Sequence, residues 1–222
     1  MPNIFLWLMI ACSSEIAENK EVAQEKINTE EKRTTEKRPR VIILGDSLTA
    51  GMGLPLDAAY PKLLEKRLKE AKLPTEIVNA GQSGDTTAGG LRRIDWLLSQ
   101  KPDLLVIELG ANDGMRGIPL DEVRANISAM IEKAQQANVP VKLVDMRIPP
   151  NYGEEYTSGF QAIYVELAER YQIELLPFLL QEVGGKKELN QADGIHPTQE
   201  GHQQISSRLY EPFKTWREQL IE

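Results

Sequence analysis

Cysteine and histidine are nearly missing from this 222-residue sequence, which holds one cysteine, Cys12, and two histidines, His196 and His202. A single thiol excludes an internal disulfide and a cysteine-rich metal site, and two imidazoles are too few for a histidine zinc cluster. No metal is expected. Basic stripes are missing as well. Residues 13–40 carry seven acidic and seven basic side chains that cancel, so the formal net charge of -7 comes from residues 41–222. An acidic region without a cluster of Lys and Arg has no means of displacing counterions from phosphates, which argues against a nucleic-acid partner. The apolar stretch Ile4 to Ala11 is too short to cross a bilayer as a helix.

What that stretch does have is Cys12 directly behind it, with small Ala11 in between. The arrangement resembles the end of a bacterial lipoprotein signal peptide, although the basic residues such signals carry upstream are absent. The resemblance implies a lipidated Cys12, membrane association through it, and a periplasmic location. Residues 13–39 are rich in Glu, Lys, Thr and Gln and poor in large apolar groups, so burial cannot offset the entropy of ordering them. They read as a charged disordered tether. The division is therefore a signal-like segment over 1–12, the tether over 13–39, and one folded domain over 40–222. With 41% apolar residues the chain can fill a single core.

Val41-Ile42-Ile43-Leu44 is short, β-branched and closed by Gly45, the pattern of a strand buried on both faces. Further strands are expected at Glu76 to Ala80, Asp103 to Leu109, Val141 to Met146 and Ile173 to Leu176. Between them, apolar residues at helical spacing predict helices over Ala58 to Lys72, Thr86 to Ser99, Leu120 to Ala137 and Phe160 to Tyr171. A final helix starts near Thr198, and Pro212 is expected to kink or interrupt it. Strict alternation of this kind predicts an α/β fold, a three-layer α/β/α sandwich with a central parallel sheet of about five strands. Ligands of such sheets bind beyond the carboxyl ends of the strands.

Gly45-Asp46-Ser47-Leu48 lies at one such end. A serine hydroxyl must lose its proton as it attacks, and histidine is the usual recipient. His196 stands in a loop flanked by Gly and Pro, with Asp193 three residues earlier, whereas His202 falls inside the helical segment. One tight turn in Asp193-Gly194-Ile195-His196 brings the carboxylate to Nδ1 and leaves Nε2 for Ser47. Acyl transfer also needs hydrogen-bond donors for the oxyanion. The backbone of Gly84, after the second strand, and the side-chain amide of Asn112, after the third, are candidates, although turn chemistry alone also favours Gly and Asn there. Ser83 is a rival nucleophile. Neither serine stands in a Gly-x-Ser-x-Gly elbow, but Ser83 as nucleophile would displace Gly84 from its donor role and leave the Gly-Asp-Ser block without a purpose.

Taken in order, Gly45-Asp46-Ser47-Leu48, Gly84, Gly110-x-Asn112-Asp113 and Asp193-x-x-His196 resemble the four blocks of the SGNH (GDSL) hydrolase superfamily, over residues 40 to 215. Val78-Asn79-Ala80, Ser83-Gly84-Asp85-Thr86, Pro150-Asn151-Tyr152-Gly153 and Asp193-Gly194-Ile195-His196-Pro197 are similar to the bacterial multifunctional esterase branch, whose members include thioesterase/lysophospholipases and arylesterases. The resemblance implies a flavodoxin-like SGNH fold, Ser47 as nucleophile, His196 as base and Asp193 as its orienter. It also implies an oxyanion hole from the N–H groups of Ser47 and Gly84 and the side chain of Asn112. The expected activity is hydrolysis of small acyl or aryl esters through an acyl-enzyme, by a monomer without cofactor.

Leu54, Met115, Ile118, Pro149, Tyr152 and Ile195, on loops near the site, are the expected walls of a substrate groove. Gly114-Met115-Arg116-Gly117, with two glycines about one long apolar residue, suggests a mobile segment. Two other functions remain at this stage. One is carbohydrate O-deacetylation by the same triad. The other is a flavodoxin-like binding module in which Gly45 to Gly51 cradles a phosphate.

Overall fold

The computed structural model describes residues 38–221. Cys12, the signal-like segment and residues 13–37 of the expected tether lie outside the described residues. Five strands form one parallel sheet: β1 (Arg40–Gly45), β2 (Glu76–Gly81), β3 (Leu104–Glu108), β4 (Val141–Val144) and β5 (Glu174–Leu176), in the order β2-β1-β3-β4-β5. The strands are apolar on both faces because each face is covered. Ile42, Leu44, Leu105 and Ile107 pack under α3 (Thr87–Ser99), α5 (Leu120–Gln136) and α6 (Glu154–Tyr171). Val41, Ile43, Leu104 and Val106 pack under α2 (Tyr60–Glu70) and α7 (Gln199–Gln219). The result is the three-layer α/β/α sandwich expected.

Topology puts the crevice in one place. From β1 the chain steps outward to β2, then crosses back to β3 and continues the other way, so the connections leaving β1 and β3 diverge. Gly45 stands opposite Glu108 in the register of those two strands. Open parallel sheets bind ligands at such a reversal. Two short helices start there, α1 (Ser47–Ala50) and α4 (Ala111–Met115), which the sequence pattern did not reveal because each is about one turn long.

Pro212 does not interrupt α7, which runs unbroken from Gln199 to Gln219. Ile205, Leu209, Phe213 and Trp216, on both sides of it, are buried against the sheet, and that packing outweighs the roughly 3 kcal/mol cost of an interior proline. Gly114, which opens the segment expected to be mobile, belongs to a helix. It is buried in α4, and a methyl group there would come within 3.0 Å of the Phe160 ring. Helix α6 also begins earlier than its apolar spacing suggested. Its first turn is exposed and carries Glu154 and Glu155, whose charges suit a helix N-terminus although they leave no hydrophobic period to read.

Candidate active site

Ser47 is the first residue of α1, directly past the end of β1. Asp46 caps that helix, its Oδ1 accepting the Leu48 N–H at 2.9 Å. The turn is tight enough that a side chain at Gly45 would collide with Thr49 and come within 2.5 Å of Glu108 Oε2. Below it, Thr49 Oγ1 donates to Glu108 Oε2 at 2.6 Å and lies 2.8 Å from the Tyr60 hydroxyl. Burial pushes the Glu108 carboxyl well above the usual carboxylate range, and the neighbouring Asp46 adds to this. Burial likewise raises Asp46 to about 6, against the pull of its Leu48 bond. The N–H groups of Leu48, Ala50, Gly51 and Met52 are already bonded to acceptors within the turn, so the Gly45 to Gly51 segment offers no nest of free donors for a phosphate.

Residues 190–197 bring His196 to this turn. Gln191 N–H donates to the His196 carbonyl at 2.8 Å, Gln191 Nε2 donates to the Met52 carbonyl at 2.8 Å, and Thr198 caps α7 just beyond. Gly194, at φ 70°, lets the chain turn back within three residues. His196 Nε2 lies 2.9 Å from Ser47 Oγ, and Nδ1 lies 2.7 Å from Asp193 Oδ2. The other Asp193 oxygen accepts the backbone N–H groups of Ile195 and His196, at 2.9 and 3.0 Å. These bonds, with that from the imidazole, hold the Asp193 carboxyl far below the usual carboxylate range. The carboxylate thus remains charged throughout the neutral range, ready to stabilise an imidazolium.

Donors converge from two further loops. Gly84 sits at φ 78° in the turn after β2, where the Asp85 N–H donates to the Gln82 carbonyl at 3.0 Å. Among the described residues the N–H groups of Ser47 and Gly84 have no protein acceptor. Asn112 Nδ2 donates to Asp46 Oδ2 at 3.2 Å, which fixes the amide plane and leaves its second hydrogen available. Asp113 anchors the same loop, accepting the Thr87 N–H and hydroxyl at 2.9 and 2.6 Å. Gly110, at φ 125°, has no room for a side chain beside Tyr164, whose hydroxyl donates to the Leu109 carbonyl.

His202 has a different task. Its Nδ1 accepts the Tyr60 N–H at 3.2 Å, its ring stacks on that of Tyr60, and burial lowers its pKa to about 4. It joins α7 to α2 as a neutral group. Ser83, the alternative nucleophile, has neither imidazole as a partner, since both are engaged elsewhere.

Ser47, Gly84, Asn112 and His196 border a cavity of about 860 Å³, within the size range of small-molecule sites. Of the expected groove residues, Met115, Pro149 and Ile195 line it. Leu54, Ile118 and Tyr152 do not. Ile118 packs against the core beneath α5, Tyr152 borders a separate hollow beside Leu120, and Met52 takes the place on the wall that Leu54 was expected to fill. Missing from the expectation were Leu48, Met52, Arg147, Ile148, Phe178 and Leu180. Arg147 is anchored by Asp145 at 3.0 Å and lies 5.5 Å over the Phe178 ring. Arg147, Ile148, Phe178 and Leu180 follow β4 and β5 on loops with no motif, and only the C-terminal-end rule for parallel sheets points to them.

Residues 43–204 match the GDSL-like lipase/acylhydrolase family. The chain is 42% identical to an arylesterase of Vibrio mimicus over 168 residues, 75% of this chain and 84% of that protein. It is 40% identical over 161 residues to a thioesterase 1/protease 1/lysophospholipase L1 of Escherichia coli K12, 72% of this chain and 76% of that one. Among solved structures, the psychrotrophic esterase EstA from Pseudoalteromonas sp. superposes with a TM-score of 0.77 at 36% identity, covering 80% of this chain and 97% of its own; its crystals held a form inhibited by monoethylphosphonate.

Proposed function

The chain belongs to the GDSL-like lipase/acylhydrolase family and is a serine esterase, and we propose that it works through Ser47, His196 and Asp193 on esters of apolar acids. Ser47 Oγ attacks the acyl carbonyl while its proton passes to His196 Nε2. Asp193 stabilises the imidazolium, and the oxyanion is received by the N–H groups of Ser47 and Gly84 and by Asn112 Nδ2. His196 then protonates the departing alcohol, phenol or thiol. Water, deprotonated by the same imidazole, releases the acid from the acyl-enzyme. The observation that carries this reading is the unbroken path of 2.9 and 2.7 Å from Ser47 Oγ through His196 to Asp193.

Substrate class follows from the cavity, whose walls include Met52, Met115, Ile148, Pro149, Leu180 and Ile195. Such walls desolvate an acyl chain or aryl ring at little cost, whereas a sugar would lose hydrogen bonds with water that these side chains cannot replace. Aryl and acyl esters, acyl thioesters and lysophospholipids fit, in keeping with the names of the relatives. On graded p-nitrophenyl esters, kcat/KM is expected to rise with acyl length from acetate until the cavity is filled. O-acetylated sugars run beside them should be turned over at least about ten-fold less efficiently, since each buried methylene contributes about 0.8 kcal/mol. A preference for the acetylated sugar would overturn the reading.

We also propose that Cys12 carries lipid and holds the domain at a bacterial envelope membrane. Support comes from the sequence Ile4 to Cys12 and the charged residues after it. Full-length protein expressed in a bacterium should partition with membranes and show an acylated N-terminal peptide beginning at Cys12. The Cys12→Ser variant should show neither.

A further inference from the structure

Arg93, on the polar side of α3, makes an unusual set of bonds. Its Nε and Nη2 donate to Asp85 Oδ2 at 2.9 and 2.8 Å, Nη1 donates to the Ala80 carbonyl at 2.6 Å, and Nη2 donates to the Gly45 carbonyl at 3.0 Å. Gly45 ends the strand that delivers Ser47. Ala80 lies near the end of the strand that delivers Gly84, and Asp85 follows Gly84 directly. One rigid planar group therefore touches the backbone or side chain beside both loops. Asp85 is buried, its Oδ1 accepts the Thr86 N–H at 3.0 Å, and Gly89 is needed because any side chain there would strike the carboxylate. The acceptor is thus fixed from its other side as well.

We infer that Arg93 is a positioning residue for the oxyanion site, its guanidinium setting the distance and angle between the Ser47 and Gly84 N–H groups. The inference rests on the assignment of those two groups as oxyanion donors. Donors stabilise a developing oxyanion only when both lie about 2.7–3.1 Å from one point, and displacement by about 1 Å costs on the order of 100-fold in rate. Lysine cannot substitute. Its ammonium offers three donors from a single atom, while the three acceptors here are reached from three separate nitrogens held in a plane.

The test compares Arg93→Lys, Arg93→Met and Asp85→Asn with Asn112→Ala on one p-nitrophenyl ester. Both Arg93 variants should lose about 100-fold in kcat with KM within about threefold, and the rate of Ser47 phosphonylation by an ethylphosphonate ester should fall in proportion. Asp85→Asn, which leaves the two carbonyl bonds intact, should show a smaller loss of the same kind and serves if the Arg93 variants fold poorly. Retention of wild-type kcat by Arg93→Lys, or in every variant a kcat loss that merely tracks the unfolded fraction, would sink the inference. If Asn112→Ala also retains full kcat, the oxyanion assignment itself is at fault.

Discussion

Ser47→Ala is expected to lower kcat by roughly 10⁴- to 10⁶-fold on any ester substrate while leaving substrate affinity and fold almost unchanged. The size follows from the way a triad works. Nucleophile, base and carboxylate act as one unit, and removing the nucleophile costs about as much as removing all three. Residual catalysis of about 10³- to 10⁴-fold over water should survive, since the Gly84 and Asn112 donors remain to orient a directly attacking water. The fold should tolerate the change. Ser47 begins α1, and the bond that caps that helix comes from Asp46 to Leu48, with no role for the Ser47 side chain. Active-site titration with a phosphonate ester should therefore give no label on a protein whose thermal melt matches the wild type. Ready turnover by Ser47→Ala would refute the assignment of the nucleophile.

The two histidines should respond in opposite ways. His196→Ala removes the base and should lower kcat by about 10⁴-fold or more, with little change in melting temperature, because its ring bonds only Ser47 and Asp193. His202→Ala removes a buried ring that stacks on Tyr60 and accepts its N–H. An orphaned buried donor and a vacated space destabilise by about 2–4 kcal/mol. Activity per folded molecule should nevertheless stay within a few-fold of wild type. Kinetics normalised to titrated active sites, set beside denaturant melts, separate the two effects. Equal losses of kcat from both variants would show that the base had been misidentified.

Much of this architecture was legible in the sequence for physical reasons that can be named. The strands announced themselves because sheet residues such as Val41 to Leu44 are covered on both faces and leave no polar alternation. Asp193 and His196 were readable as a pair because their bond closes within a single turn. The cavity wall was not readable in the same way. Leu54, Ile118 and Tyr152 are as apolar as Met52, Ile148 and Leu180, and only the three-dimensional path of each loop decides which set faces the cavity. Arg93 was equally hidden. In sequence it is one more charge on the polar side of an amphipathic helix, and its distinction lies entirely in the carbonyl ends that β1 and β2 present to it.

The bond between Ser47 and His196 joins residues 149 positions apart, while His196 is held only by a short loop and by the docking of α7 behind it. A chain emerging from the ribosome can thus complete β1 through β5, bury the core under α3, α5 and α6 and still be chemically inert. Contacts that close so long a loop form late, because the entropy of bringing distant segments together must be met first. Hydrolysis should accordingly be the last property to return on refolding and the first to disappear on warming, which makes ester turnover a sensitive gauge of whether α7 is seated.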